Sequence, residues 1–319
     1  MHIAKSIGWA HDTRRRAATP CKTRSRLETL FATTALAALA VSISMAQMSD
    51  GVETDAAASA SAPAASAAPH GGEMMFAGYT GVPYTYPSDV HVTQSGVHDF
   101  TAKSVQWEGR PFKNPIYYGA RIVRWFESGR TGAMLDFIHS KTIGRLSDEV
   151  ELTGTFNGAP APERAVLRDI FERVEASHGH NMLTLTGLLR LPSLGFRLHP
   201  YVGFGAGVSL PHAEVHVAGR DTRTYEYQVA GPVTQALIGI EIRAARVSYL
   251  FEYKFTLAPY RMPLTERDGT LLIFDLWNQL REWMSGEEPP GGYASTNLVS
   301  HQGIAGIGIR SAPPAAIAP

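Results

Sequence analysis

The fold is decided by ten residues that read Val-Ser-Tyr-Leu-Phe-Glu-Tyr-Lys-Phe-Thr, from Val247 to Thr256. Every second side chain, starting with Val247, is apolar or aromatic, and the side chains between them are mostly polar. Because side chains alternate between the two faces of a strand, this pattern gives one apolar face and one polar face. Stretches of about ten residues with this alternation are typical of strands that cross a membrane in a β-barrel.

Seven further stretches show a similar alternation: 73–92, 115–127, 131–143, 180–192, 198–216, 226–244 and 295–310. With 247–256 they make an even number of strands, as single-chain bacterial barrels have. The connections alternate between tight turns and longer segments at 94–114, 144–179, 217–225 and 260–294. Short periplasmic turns and long outer loops produce this asymmetry. We therefore predict an all-β fold, an eight-stranded antiparallel transmembrane β-barrel with residues 73–311.

Two of the long loops contain helical patterns, at Glu163–Glu175 and Leu271–Met284. The second is rich in tryptophan and amphipathic, so it is predicted to lie at the membrane interface or to cap the barrel mouth. Packing of this helix on neighbouring loops is the alternative.

The soluble alternative to the whole fold is a sandwich or a lipocalin-like barrel, whose inward faces would be apolar. The polar faces predicted here instead carry charged residues, which suits a narrow barrel with a polar interior: Arg121, Asp136, Arg190, Glu241, Arg243, Glu252 and Lys254. Arg190, Glu241 and Arg243, near the periplasmic end, are interpreted as structural ion pairs.

The N-terminal region indicates export. Basic residues, an apolar run from Leu30 to Met45 and a small-x-small site before Gln47 predict a signal peptide over residues 1–46. Residues 47–72, rich in Ala, Ser and Pro, are predicted to form a flexible leader, and 312–319 a disordered tail. The lone cysteine, Cys21, falls in the signal peptide, so no thiol chemistry is expected afterwards.

Composition excludes one class of partner. The chain has zero formal net charge and 18% charged residues, so it lacks the basic balance of a nucleic-acid binder. We expect a monomer in the outer membrane of a Gram-negative bacterium.

Threading the strands up and down places most of the barrel's histidines at the outer rim, level with the saccharide headgroup of outer-leaflet lipid. Asp136, Glu252 and His139 are the candidate catalytic groups, because paired carboxylates beside cations can serve as acid and base. A structural ion pair is the alternative for the two carboxylates.

The densest motif is His212-x-Glu214-x-His216, where strand periodicity puts three potential ligands on one face. Two imidazoles and a carboxylate can hold a redox-active divalent metal, whose identity the sequence does not give. Unconnected histidines at a wet strand end are the alternative. No flavin or nicotinamide motif is found, since the glycines at 203, 205 and 207 recur with period two and lack the spacing of a dinucleotide site.

Taken together, the motifs resemble the bacterial lipid A oxidase family. The stretches that carry the resemblance are Pro87–Val90, Trp107–Phe112, Tyr117–Arg121, Leu135–Lys141, Pro200–Gly203, Pro211–Val215, Tyr227–Gln228, Gly231–Pro232, Glu252–Lys254 and 296–302. The resemblance implies an outer-membrane barrel that oxidises the proximal glucosamine of lipid A lacking the 1-phosphate to 2-aminogluconate. Molecular oxygen would be the oxidant and peroxide the co-product.

Position and chemistry then suggest a set of substrate-binding residues. Cations would hold lipid phosphate or carboxylate, aromatic rings would flank the sugar, and two amides complete the set: Arg121, Lys141, Lys254, Trp107, Tyr227, Gln228 and Asn297. Two rivals remain open. A lipid A deacylase or acyltransferase would need a serine or histidine at the rim and no oxygen, and a structural or adhesive barrel would leave lipid A unchanged.

Overall fold

A computed structural model describes residues 72–195, 197–269 and 271–311. The predicted signal peptide (1–46), nearly all of the predicted leader (47–72) and the predicted tail (312–319) lie outside these residues. None of the described helices is long and apolar enough to cross a membrane.

The described residues are predominantly strands. In chain order they are β1 Met74–Thr85, β2 Ser88–Gln94, β3 His98–Val105, β4 Trp107–Glu108, β5 Tyr118–Trp125, β6 Thr131–Gly144, β7 Glu149–Phe156, β8 Ala159–Pro160, β9 Arg164–Val166, β10 Phe171–Arg190, β11 Leu198–Ser209, β12 His212–Val217, β13 Thr224–Tyr227, β14 Gly231–Ala244, β15 Val247–Pro263 and β16 Tyr293–Arg310. One α-helix, α1 (Leu272–Ser285), and one 3-10 turn (Leu167–Asp169) complete the described elements.

Eight long strands form a closed sheet. The antiparallel pairing runs β1-β5-β6-β10-β11-β14-β15-β16, and β16 pairs again with β1 from Arg310 opposite Met75 to Ser300 opposite Thr85. Tight connections at 126–130, 191–197 and 245–246 lie at one end, and the long segments lie at the other. The predicted all-β fold is therefore confirmed, and eight of the described strands form this closed sheet.

Alternation of side chains gives the closed sheet an apolar outer surface. Each of its eight strands exposes at least one large apolar side chain, and together these form the apolar band: Phe76, Ile122, Leu135, Leu185, Phe204, Ile238, Phe255 and Ile307. The neighbours of these residues in sequence point inward and are buried, as Asp136 and Lys254 are.

The inside of the closed sheet is packed in layers. An apolar cluster near the tight turns includes Met75, Trp125, Leu188 and Leu250. Charged and phenolic side chains lie above it, and a second apolar core lies above them, among the long connections. That upper core is built by outer strands, with Phe100 from β3, Leu152 from β7 and Val215 from β12 among its members.

Three predicted strands are each broken in two. Stretch 73–92 becomes β1 and β2, 198–216 becomes β11 and β12, and 226–244 becomes β13 and β14. Pro87 and Pro211 stand in the first two breaks, where a residue without an N–H cannot donate to the ladder. The third break, at 228–230, precedes Gly231, whose φ is +151°.

The long connections hold more structure than predicted. The segment Glu163–Glu175, predicted as a helix, instead contains β9, the 3-10 turn and the start of β10, because Phe171 and Val174 pack into the upper core while their strand pairs with β12. The second predicted helix, Leu271–Met284, is confirmed as α1. It ends at Gly286, whose left-handed φ of 72° suits glycine.

Candidate functional site at the outer rim

The predicted site residues separate into two groups and several isolated positions. Asp136, Glu252, Arg121 and Lys254 meet inside the closed sheet and are called the interior charge layer. His139, His212 and Tyr227 belong to an outward-facing group at the rim. The remaining predicted residues join neither group.

The interior charge layer pairs opposite charges. Lys254 Nζ donates to Asp136 Oδ2, Arg121 Nη1 donates to Glu252 Oε1 at 2.5 Å, and Arg121 Nε lies 3.3 Å from Asp136 Oδ1. Two phenols contribute as well, since Tyr79 donates to Asp136 Oδ1 at 2.8 Å and Tyr201 donates to Glu252. The sequence prediction that the two carboxylates lie together with cations is thus met.

Access to this layer is closed. The side chains of Asp136 and Glu252 are both 0% exposed, and apolar clusters lie below and above them. Glu252 Oε2 has no partner among the described residues, but the adjoining cavity measures about 10 Å³, roughly the volume a single water needs. A lipid sugar cannot reach these groups in this geometry, so the structural alternative, ion pairing, describes Asp136 and Glu252 better than acid–base catalysis.

A second charge layer lies near the tight turns. Arg243 contacts both Glu73 and Glu241, and Arg190 Nη2 lies 3.0 Å from Glu241 Oε2. The interpretation of Arg190, Glu241 and Arg243 as structural ion pairs is confirmed by these contacts.

Four predicted substrate-binding residues belong to neither group, and each has its own surroundings. Lys141 Nζ donates to the carbonyls of Lys113 and Asn114, at 2.9 and 2.8 Å. Trp107 Nε1 donates to a serine hydroxyl on β2, and Gln228 is buried, donating to Glu226 and to the carbonyl of Pro263. Asn297 is exposed on β16 opposite Pro259. The structure does not gather them around one ligand.

The predicted metal site is not formed. Ala213, Val215 and Val217 of β12 enter the upper core, so His212, Glu214 and His216 face the other way, outward. Glu214 pairs with Arg223 at 2.9 Å, and His216 lies 3.2 Å from Glu172. Within the described residues, no group of three or more His, Cys, Asp or Glu side chains could hold a metal ion. In this structure each of the three residues contacts a different partner outside β12, so they do not come together as one ligand set.

The outward group at the rim combines histidines with tyrosines. We call it the rim cluster, and its members are Tyr118, His139, His178, Asn181, His212, Tyr225 and Tyr227. The His139 ring stacks on Tyr118 at 4.6 Å between centroids, and the His212 ring meets Tyr225 and Tyr227 edge-on at 4.3 and 4.5 Å. Asn181 links the two halves of the cluster, because it contacts His139 and also the carbonyl of Leu210, two residues before His212. Burial raises the pKa of Tyr227.

The hydrogen bonds of His139 fix which ring nitrogen carries the proton. Asn181 Nδ2 donates to the carbonyl of Leu210, so its Oδ1 faces His139 Nδ1, at 2.8 Å. An amide oxygen only accepts, hence Nδ1 carries the hydrogen and Nε2 keeps a lone pair. His139 Nε2 is buried and has no hydrogen-bond partner among the described residues.

His212 repeats this arrangement with the nitrogens exchanged. Its Nε2 lies 3.3 Å from the carbonyl of Gly269, which can only accept, so Nδ1 keeps the lone pair. Nδ1 too is buried without a partner in the described parts of the chain. Burial lowers the pKa of His212, and His178, at 5.6 Å between ring centroids, lowers it further. The rim cluster therefore presents two neutral imidazoles whose basic nitrogens are unused.

The predicted site residues do not include four members of the rim cluster: Tyr118, His178, Asn181 and Tyr225. One signal was available, because Tyr118 and His139 share the outward parity of neighbouring strands and are paired directly. The pairing of β12 with β13, which brings His212 opposite Tyr227, could not be read from either segment alone.

No model of a known protein family matches this chain, and no curated protein matches it. Among solved structures, the crystal structure of Neisserial surface protein A (NspA) is similar at 10% identity and a TM-score of 0.31. The alignment covers 74% of this chain and 96% of that chain.

Proposed function

We propose that this chain is a Gram-negative outer-membrane β-barrel enzyme that oxidises the proximal glucosamine of 1-dephosphorylated lipid A to 2-aminogluconate, using molecular oxygen. The observation that carries the proposal is the rim cluster, in which His139 Nε2 and His212 Nδ1 are basic and unpartnered just above the apolar band. The resemblance of the sequence motifs to the lipid A oxidase family supplies the substrate class.

The apolar band supports the membrane placement. On and just after β10, exposed leucines run from Leu183 to Leu191, matching the ~9–11 residues of a tilted membrane strand. Aromatic girdles flank such bands. Tyr84, Tyr86 and Tyr253 gather around His301 on the β1, β15 and β16 side, and the rim cluster occupies another part of the circumference. In this placement the rim cluster lies at the height of the lipid headgroups, with Tyr118 exposed and His139 and His212 buried by their neighbours.

The proposed reaction removes two electrons and two protons from the lipid. The C1–H bond and the hydroxyl O–H bond of the free hemiacetal break, C1 becomes the carbonyl carbon of a lactone, and oxygen is reduced to hydrogen peroxide. Water then opens the lactone to the carboxylate of 2-aminogluconate. A phosphate at C1 would block the first step, because the hydroxyl proton must leave.

The rim cluster supplies groups suited to that step. His139 Nε2 is buried in this structure, so the proposed step requires the side chains that cover it to move when the sugar binds. It then accepts the hydroxyl proton, and the Asn181 amide, itself fixed by Leu210, holds the imidazole in the required tautomer. Tyr118 and Tyr227 present aromatic faces against which the sugar packs. Because the described residues do not assemble a ligand set for a metal, no step is assigned to one.

The test is mass spectrometry of lipid A after the full chain is expressed in a host whose lipid A lacks the 1-phosphate. The proposal expects a gain of one oxygen atom that requires air. The same measurement with a host that retains the 1-phosphate is the matched control, and its lipid A should be unchanged. A chelator arm asks separately whether a divalent metal takes part.

Other outcomes would overturn the proposal in distinct ways. Loss of an acyl chain, with or without air, would identify a deacylase. Unchanged lipid A under every condition, with the folded protein present in the outer membrane, would indicate a structural or adhesive barrel.

A further inference from the structure

The polarity of α1 is inverted relative to a helix that packs on an apolar core. Its buried residues are Asp275 and Gln279, at 5% and 2% exposure, whereas Ile273 and Met284 are 79% and 77% exposed. At 100° per residue, Asp275, Gln279 and Glu282 share one face. The opposite face consists of Ile273, Trp277, Leu280 and Met284, and all four are exposed.

The polar face holds α1 against the barrel. Asp275 Oδ2 accepts from the backbone N–H of Tyr227 at 3.1 Å, and Gln279 bridges both the N–H and the carbonyl of Val229, at 2.8 and 3.1 Å. Glu282 pairs with Arg267. These bonds satisfy backbone groups at the end of β13 and in the segment that follows it, so α1 has a fixed orientation with its apolar face turned away from the protein.

The position of α1 indicates what covers that face. Tyr227 and Val229 lie immediately before β14, whose outward side chains, Ile238 among them, belong to the apolar band. The exposed face of α1 therefore continues the apolar surface of β14 upward. It also carries Trp277 and Trp283, both exposed, and tryptophan is enriched where a membrane meets water.

We propose that α1 lies in the outer leaflet, with its apolar face against lipid acyl chains and its polar face against the rim cluster. The helix then forms a lipid-side border of the candidate site, where it would meet a lipid whose headgroup approaches His212. This inference rests on the membrane placement proposed above and is independent of whether the lipid is oxidised.

The experiment uses spin labels on single cysteines in the full chain with Cys21→Ser, folded into phosphatidylcholine vesicles. Ile273→Cys reports on α1, Phe204→Cys on the apolar band, and Glu149→Cys on the exposed part of β7. Collisions with oxygen, which enters lipid, are compared with collisions with a water-soluble nickel chelate. The inference expects the label at 273 to match that at 204 and to differ from that at 149.

The three labels separate the possible failures. A water-like label at 273 beside a lipid-like label at 204 would overturn the inference and leave the membrane placement intact. A water-like label at 204 would overturn the placement and with it the proposed function. Spin–spin broadening at 273 that disappears on dilution with unlabelled chain would show that a second copy covers the face, which also overturns the inference.

A second measurement avoids new cysteines. Brominated phosphatidylcholine should quench the tryptophan fluorescence of the unaltered chain, because Trp277 and Trp283 face the lipid while Trp125 is buried. Replacing both exposed residues, Trp277→Phe and Trp283→Phe, should remove most of the quenching. Equal fractional quenching with and without these two residues would contradict the inference.

Discussion

The interior charge layer and the rim cluster both contain reactive side chains, but the two regions hold them in different ways. Inside, Asp136 and Glu252 each contact an opposite charge and a phenol, and the layer lies between two apolar clusters. At the rim, His139 and His212 are held by one nitrogen each while the other nitrogen has no partner in the described residues. Reactive residue types are thus abundant in both regions; those inside are held in ion pairs, whereas the two rim imidazoles are neutral and face outward.

The difference has an energetic cause. A charge moved into the interior of a narrow barrel loses its hydration, and only close opposite charges offset that cost. The charged groups of the interior layer are therefore expected to lie beside opposite charges, as Asp136 and Glu252 do. A neutral imidazole costs less to bury than a charge, so the rim can tolerate two buried nitrogens that have no partner in the described residues.

The largest expected effect is a loss of lipid A oxidation when a histidine of the rim cluster is replaced. His139→Gln should lower the rate of lipid A oxidation by about 10²–10⁴-fold, because a general base usually contributes that much. Its urea unfolding curve in vesicles should stay close to that of the unaltered chain. The matched control is His91→Gln, a histidine that faces Asp99 at 3.2 Å outside the rim cluster. Normal oxidation by His139→Gln would remove the rim cluster from the mechanism.

The next effect concerns stability. Asp136→Asn leaves Lys254 and Arg121 buried beside a neutral group, and breaking such a buried pair costs about 3–5 kcal/mol. Urea unfolding in vesicles measures this loss directly. Asp89→Asn is the control, because the Asp89–Lys103 pair is exposed and worth about 0–1 kcal/mol. Equal losses in the two variants would show that the interior charge layer does not hold the barrel together.

His180 lies between the two regions, above the apolar band, and points inward beside the outward-facing Asn181. We expect this histidine to make the stability of the chain depend on pH. Burial lowers the pKa of His180 to about 4, and His139 adds to the shift. In the unfolded chain the His180 imidazole therefore binds a proton at about pH 6.5, whereas in the folded chain it stays neutral down to about pH 4. Stability should fall as the pH drops from about 6.5 to 4, by up to about 3 kcal/mol.

This prediction is tested by measuring the free energy of unfolding by urea titration at pH 7.5, 5.5 and 4.5. The measured quantity is the slope of stability against pH. His180→Gln should flatten it, since the amide does not titrate. The hydrogen bond of His180 Nδ1 with Tyr260, at 2.5 Å, gives the glutamine a partner. A slope that is unchanged in His180→Gln would assign the acid sensitivity to another group.

Much of the closed sheet could be predicted because the membrane-type pattern is local. The alternation of β15 depends only on which side chains face inward, and it survives in the structure from Ser248 to Thr256. The outer strands were harder to predict. The apolar residues of Glu163–Glu175 fit a helical spacing, but Phe171 and Val174 are buried by partners on β3 and β12, far away in sequence.

The candidate site was predictable in part for the same reason. Pairing of Arg121 with Asp136 follows from strand order, and the two residues are indeed directly opposite. The rim cluster depends on β12 folding over to pair with both β10 and β13, and on Asp275 and Gln279 fixing α1 there. Strand parity alone gave His212, Glu214 and His216 a common face but not the separate partners that keep them apart.

The smallest expected effect tests whether Glu214 is a metal ligand or only the partner of Arg223. Glu214→Gln should change the rate of lipid A oxidation by less than about twofold, and stability by no more than about 1 kcal/mol, because the Glu214–Arg223 pair is partly exposed. A metal ligand would behave differently, since an amide binds a divalent cation much more weakly than a carboxylate does. Loss of oxidation in Glu214→Gln, restored by added metal, would bring back the His212, Glu214 and His216 site. Unchanged oxidation would leave His212 acting through its free Nδ1 in the rim cluster, beside the aromatic faces of Tyr225 and Tyr227.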